Sequence, residues 1–126
     1  MYKSCYKTIR AALVSALTRA GVHVGGTADY PRVEAHSFVE NTPQDKGDAL
    51  RVINCVVESL SVKSSTEAAE INDANVALLG AFNFADTSFR VVAVVPTQLQ
   101  NLTETSDPQK ILYRVLQSID IYVQQL

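Results

Sequence analysis

Ala49-Leu50-Arg51-Val52-Ile53-Asn54-Cys55-Val56-Val57-Glu58-Ser59-Leu60-Ser61-Val62, with Ser64-Ser65-Thr66-Glu67 just after it, is the stretch on which the fold turns. Alternation with a period of two predicts a strand from Ala49 to Val62, with Ile53, Cys55 and Val57 on one face. Val52, Val56 and Leu60, on the other face, are apolar as well. Such a strand is either central and covered on both sides, or its outer face meets another subunit. The tetrapeptide from Ser64 to Glu67 then has the capping-box form: the serine oxygen takes the backbone N–H of Glu67, and the glutamate reaches back. A helix is expected from there to the terminator Gly80, with Ala68, Ile71, Ala74 and Leu78 facing inward and Glu70 and Asp73 outward.

Upstream, Asn41-Thr42-Pro43-Gln44-Asp45-Lys46-Gly47-Asp48 concentrates turn formers and charges. Before it, Arg32 to Glu40 alternates, with Val33, Ala35 and Val39 on one side and Arg32, Glu34, His36 and Glu40 on the other. The two strands therefore form a β-hairpin with a long polar tip. Between Tyr2 and Ala20, the apolar residues Tyr6, Ile9, Leu13, Ala16, Leu17 and Ala20 recur at helical spacing. Gly21, Gly25-Gly26 and Asp29-Tyr30-Pro31 end that amphipathic helix.

Downstream, Phe89 to Val95 reads as a buried strand with Arg90 as its only polar residue, and Pro96 ends or distorts its pairing. A variable segment from Thr97 to Asp107 leads to a turn at Asp107-Pro108. The closing segment places Ile111, Tyr113, Val115, Ile119, Ile121 and Val123 on one face and Arg114, Ser118, Asp120 and Gln124 on the other. At ~3.3 Å per residue such a strand reaches roughly 40 Å, so a bulge or an overhang past the domain body is expected. The order is α-β-β-α-β-β. The simplest fold that buries both helix stripes is α+β, two helices packed on one face of a mainly antiparallel four-stranded sheet with an extended β-hairpin, in a single domain spanning residues 1–126.

Composition narrows the function. The chain has 126 residues, 47% hydrophobic and 19% charged, with a formal net charge of -2, so it lacks the positive field that drives tight binding to phosphate backbones. Cys5 and Cys55 sit inside apolar patterns without metal-ligand spacing and read as small buried hydrophobes. Lys3, Lys7, Arg10 and Arg19 interrupt the N-terminal region, leaving neither a signal-peptide core nor a membrane-spanning run, so a soluble intracellular protein is expected.

Catalytic motifs are lacking. His36 lies on a polar strand face beside Glu34 and His23 in the loop after the first helix; both read as solvated histidines. Glu67, Glu70 and Asp73 are spaced along one helix, but Glu67 is assigned to a cap and acidic residues suit a helix N-terminus, so no metal is expected. Gly25-Gly26 lacks the continuation of a phosphate-binding loop. Lys3, Lys7 and Arg10 lie toward one side of the first helix and read as a solvated flank, with DNA in an assembled pore as the other reading. No cofactor and no enzymatic activity are expected.

Several local patterns, in order along most of the chain, carry a resemblance. They are Tyr30-Pro31-Arg32-Val33 after the first helix, Glu40-Asn41-Thr42-Pro43 with the Asp45-Lys46-Gly47 tip, Val56-Val57-Glu58-Ser59, and Thr66-Glu67-Ala68 with Ile71-Asn72-Asp73. Leu102-Thr103-Glu104 and Asp107-Pro108 then precede the long closing strand. In these the chain resembles the tail-terminator and tail-completion (minor tail) proteins of long-tailed phages. The resemblance implies a hexameric ring on the end of the tail tube that stops tube polymerisation and presents a surface to the head-side connector. DNA would pass through its lumen without sequence-specific binding. The partners implied are further copies of the chain, the tail tube protein and the connector protein, with no membrane. The location implied is the virion tail, and the bacterial host cytoplasm during assembly. On this reading the hairpin, with Glu40, Asp45, Lys46, Asp48 and Arg51, forms one oligomer or tube interface, and Val52, Asn54 and Val56 form a second contact face. Two other readings are a head-tail connector (neck) protein and a dimeric small-molecule-binding or regulatory α+β domain whose paired sheets cover the doubly apolar strands. An enzyme would need a polar pocket that the pattern does not show.

Overall fold

The computed structural model describes residues 4–18, 23–24, 30–41, 50–82, 88–107 and 110–126. Its elements are α1 (Tyr6–Thr18), β1 (His23–Val24), β2 (Arg32–Asn41), β3 (Leu50–Ser61), α2 (Ser65–Gly80), β4 (Phe89–Asp107) and β5 (Lys110–Gln125). The four long strands pair antiparallel and both helices lie on one face, as the sequence predicts. His23, expected in a loop, lies in β1, a two-residue strand that adds to β2 in parallel, and the sheet order is β1-β2-β3-β5-β4.

The core lies between sheet and helices. Ile9, Leu13 and Leu17, four residues apart, bury one stripe of α1 together with Cys5, against Val33, Ile53, Cys55, Val57, Ile119, Ile121 and Val123. The helix start is held from outside: a Glu40 carboxylate oxygen accepts the backbone N–H of Cys5 at 2.9 Å and the hydroxyl of Ser4 at 3.1 Å. A carboxylate there satisfies donors the helix cannot pair internally and complements its dipole.

Glu40 reaches α1 because β2 changes phase. The register shifts between His36 and Val39, and Ser37 adopts the left-handed region at φ 59°. This β-bulge inserts one residue and reverses the alternation beyond it. Val33 and Ala35 face the core as expected, but Phe38 then takes the inward place and Val39, expected inside, is 53% exposed. Phe38 meets the Tyr6 ring edge-on at 5.6 Å, and the Arg10 guanidinium lies 6.0 Å from its centroid.

Helix α2 begins at the expected cap, Ser64, whose hydroxyl oxygen accepts the Glu67 N–H at 3.0 Å. The reciprocal half differs from the capping box. The Glu67 carboxylate accepts from the Ser61 hydroxyl at 2.6 Å, and the Ser61 oxygen in turn accepts the N–H groups of Lys63 and Ser64. Ser64→Ala should remove about 1 kcal/mol, read as a lower urea midpoint with an unchanged slope. The inward stripe is also rotated from expectation: Ala68, Asn72, Asn75 and Leu79 are buried, Ile71 and Leu78 are partly buried, and Ala74 is exposed. The buried asparagines are anchored across the interface, Asn75 donating to the Ser59 hydroxyl at 3.2 Å and Asn72 to the Gln117 side-chain oxygen at 3.4 Å.

Strand β4 is an edge strand, which corrects its reading as buried: Val92 is 54% and Val95 42% exposed. Pro96 sits on this edge without ending it, since pairing with β5 runs from Phe89 opposite Gln125 to Asp107 opposite Lys110. Three register shifts in β4 absorb the twist of so long a ribbon. β3 stops at Ser61 opposite Tyr113, while β4 and β5 continue to the Asp107–Lys110 pair. The overhang occurs, whereas the bulges fall on β4 rather than on the closing strand, which pairs with β3 without a break; Ile111, placed on the inward face by its parity, is exposed near the hairpin end.

Candidate assembly surface

The helices cover one face of the sheet; the other carries the even-numbered residues of β3 and β5. Across the middle of that outer face runs a polar ladder: Asn41 donates to the Asn54 side-chain oxygen at 2.7 Å, and Asn54 donates to the Asp120 carboxylate. Apolar side chains flank it. Val52 stands opposite Tyr122 on one side and Val56 opposite Ser118 on the other, while Val39 and Val95 prolong the ladder's own row across β2 and β4. Val52, Val56, Leu116 and Tyr122 are half-buried; Val39 and Val95 are exposed. The result, around the ladder, is a stretch of sheet face, part apolar and part amide, that stays partly exposed, while Glu58 and Leu60 further along the same face are buried.

One end of this face is charged. Glu58 is only 1% exposed and lies between His36, whose Nε2 is 2.7 Å from its carboxylate, and Arg114, whose Nε donates to its other oxygen. Arg114 also reaches Glu104 on β4 at 3.4 Å, and Arg32 pairs with Glu34 at 3.3 Å. Burial alone pushes the Glu58 carboxyl up, but the bonds and charges of Arg114 and His36 outweigh it and hold the group below the usual glutamate range. The same pairing raises Arg114. His36, expected as a solvated neighbour of Glu34, thus lies within hydrogen-bond distance of Glu58.

Ser37, His36 and Glu58 share the connectivity of a nucleophile, base and orienting acid, since the Ser37 hydroxyl lies 2.7 Å from His36 Nδ1. The second Glu58 oxygen accepts from Arg114 Nε, so both carboxylate oxygens are engaged by side chains. The thiols are poor nucleophiles. Burial pushes Cys55 up to about 12, with Asp120 adding to it, and burial raises Cys5 against the opposing charge of Arg51. Among the described residues no group of three or more His, Cys, Asp or Glu side chains is placed to hold a metal, and no helix is long and apolar enough to cross a membrane.

The site residues proposed from sequence fall into three sets. Val52, Asn54 and Val56 stand together on the outer face. Glu40 and Arg51 flank the base of the β2–β3 hairpin but turn to the helix side: Glu40 holds the start of α1, and Arg51, 2% exposed, bonds Gln125 and lies over the Phe89 ring at 5.5 Å. Asp45, Lys46 and Asp48 lie outside the described residues. Leu116 and Tyr122, which complete the outer face, went unmarked in the sequence although they share the parity of Arg114 and Asp120.

No protein-family model matches the chain, and no curated protein matches it. Among solved structures, a chain from the virion of a native gene transfer agent particle is similar over 96% of this chain and 92% of that one, with a TM-score of 0.67 and 18% sequence identity. At that identity the likeness establishes a shared fold.

Proposed function

We propose that this chain is a structural virion protein of a phage-like particle, a subunit that forms a hexameric ring at the head-proximal end of a tail tube, ends tube growth and joins tail to head. The observation that carries the reading is the likeness of fold, over nearly the full length of both chains, to a protein of a gene transfer agent virion. The outer sheet face supports it, because exposed Val39 and Val95 beside a half-buried amide ladder call for a partner surface rather than a substrate. Val52, Asn54 and Val56 contribute that face, and the hairpin from Glu40 to Arg51 is a contact to the tube or to a neighbouring copy. Its partners are further copies, the tube protein and the connector, and it works without a cofactor or catalysis.

If the hairpin tip is a contact surface, reversing Asp45, Lys46 and Asp48 together should block assembly while leaving the melting temperature nearly unchanged, since surface charges contribute little to stability. A large fall in Tm would assign the tip to the core instead. The ring itself is tested by light scattering after size exclusion, with negative-stain images of the high-mass peak. A sixfold ring with an open centre supports the reading. A compact dimer at every concentration would replace it with a dimeric binding domain, and a monomer would move the test to capping of preformed tubes.

A further inference from the structure

The two helices carry opposite charge. Between Tyr6 and Thr18, α1 holds Lys7 and Arg10 and no acidic residue; between Ser65 and Gly80, α2 holds Glu67, Glu70 and Asp73 and no basic one. Lys7, Arg10, Glu70 and Asp73 are all exposed. Among the described residues, the chain's ion pairs join Arg32, Glu34, His36, Glu58, Glu104 and Arg114, and none of these four helix charges enters one.

The surfaces around those charges also match in shape. Lys7, Arg10, Ala11, Val14 and Ser15 line an open groove along the outward side of α1. On α2 the exposed neighbours of Glu70 and Asp73 are small, Ala69, Ala74 and Ala77, and the space above Gly80 is open. Lys7, Arg10 and Val14 are spaced i, i+3, i+7, and so are Glu70, Asp73 and Ala77. Each set is therefore a ridge of two turns, roughly 10 Å long, whose charges meet their opposites in either helix direction. α1 packs over β1 and β2, and α2 over β3, β5 and β4, so the basic and acidic surfaces lie toward opposite edges of the sheet. A contact that joins two different surfaces of identical subunits is head-to-tail and closes into a ring when the rotation allows.

We propose that the outward groove of α1 receives the outward face of α2 from a second copy of this chain, Lys7 and Arg10 against Glu70 and Asp73, as the repeating contact of the ring. This rests on the ring reading above. It leaves the outer sheet face free for the tube or the connector.

The test uses two double variants of the full chain, Lys7→Glu with Arg10→Glu and Glu70→Lys with Asp73→Lys, sized by light scattering beside the wild type. Each variant alone should fall from ring to single-chain mass, about sixfold, with an unchanged circular dichroism spectrum. An equimolar mixture should recover the ring mass, because the reversed α1 of one variant meets the reversed α2 of the other and an even-membered ring closes by alternation. Variants that keep the ring mass, or a mixture that stays small, would overturn the helix contact while the ring reading stands. If the wild type forms no ring, separately purified Ala11→Cys and Ala77→Cys chains are mixed and oxidised. A cross-linked heterodimer, absent from either variant alone, upholds the contact and counts against the ring as its product; its absence overturns the contact.

Discussion

Arg114→Ala should lower the unfolding free energy by about 2–3 kcal/mol and Tm by roughly 10 °C at neutral pH. The loss comes from Glu58, not from the arginine's own exposure. Glu58 is almost wholly buried, and removing Arg114 leaves its carboxylate with His36 as its one remaining side-chain hydrogen-bond partner among the described residues. A buried charge stripped of one partner costs more than the intact pair gains, although water entering beside the half-exposed Arg114 position limits the cost. The pH dependence gives a second readout. Glu58 is held below its ordinary value in the fold, so its contribution is present above the unfolded glutamate value near ~4.3 and is lost as pH falls through the lower, folded one. Wild type and Arg114→Ala should therefore differ most at pH 7 and converge in acid. Urea midpoints at both pH values check this, and a gap that widens in acid would contradict the pairing.

Ile121→Ala should be costlier, at about 3–4 kcal/mol and a fall in Tm of roughly 10–15 °C. Ile121 is fully buried on the helix side of β5, opposite Ile53 on β3 and Val94 on β4. With strands fixed on both sides and helices above, the neighbours have little room to collapse into the space left behind. Ile121→Val should cost only about 1 kcal/mol, because a single methylene is lost. Its neighbour Tyr122 points to the other face and is half-buried, so Tyr122→Ser should move Tm far less while weakening assembly. Thermal melts of the three variants separate the two faces. Equal losses at 121 and 122 would mean that the outer face is as much core as the inner.

Both variants probe places where the sequence was read differently well. The alternation of Ile53, Cys55 and Val57 marked the inner face because β3 itself carries no extra residue and pairs with β5 without a break. The start of α2 was legible because the Ser64 cap is local, closing within four residues. The turn at Ser37 was not. A serine in left-handed geometry leaves the polarity pattern unchanged, and with Phe38 and Val39 both apolar either one fits the core. The buried asparagines of α2 depend on Ser59 and Gln117, and the burial of Glu58 depends on His36 and Arg114, partners distant in the chain. No window of local sequence contains such a pair. On the outer face, Val52, Asn54 and Val56 were legible as apolar or amide residues on a second side, whereas the edge position of β4 was not. Phe89 to Val95 has the composition of a covered strand, yet it stands at the sheet edge with Val92 and Val95 exposed.

The bulge at Ser37 determines how this hairpin tolerates change in length. Straightening the strand with Ser37 retained would turn Phe38 and Glu40 away from α1 and bring Val39 under it, releasing the helix start from its carboxylate, whereas deleting Ser37 would restore unbroken alternation and keep both residues inward. The extra residue at the bend, rather than the polarity of the strand, thus decides which of Phe38 and Val39 the helix meets.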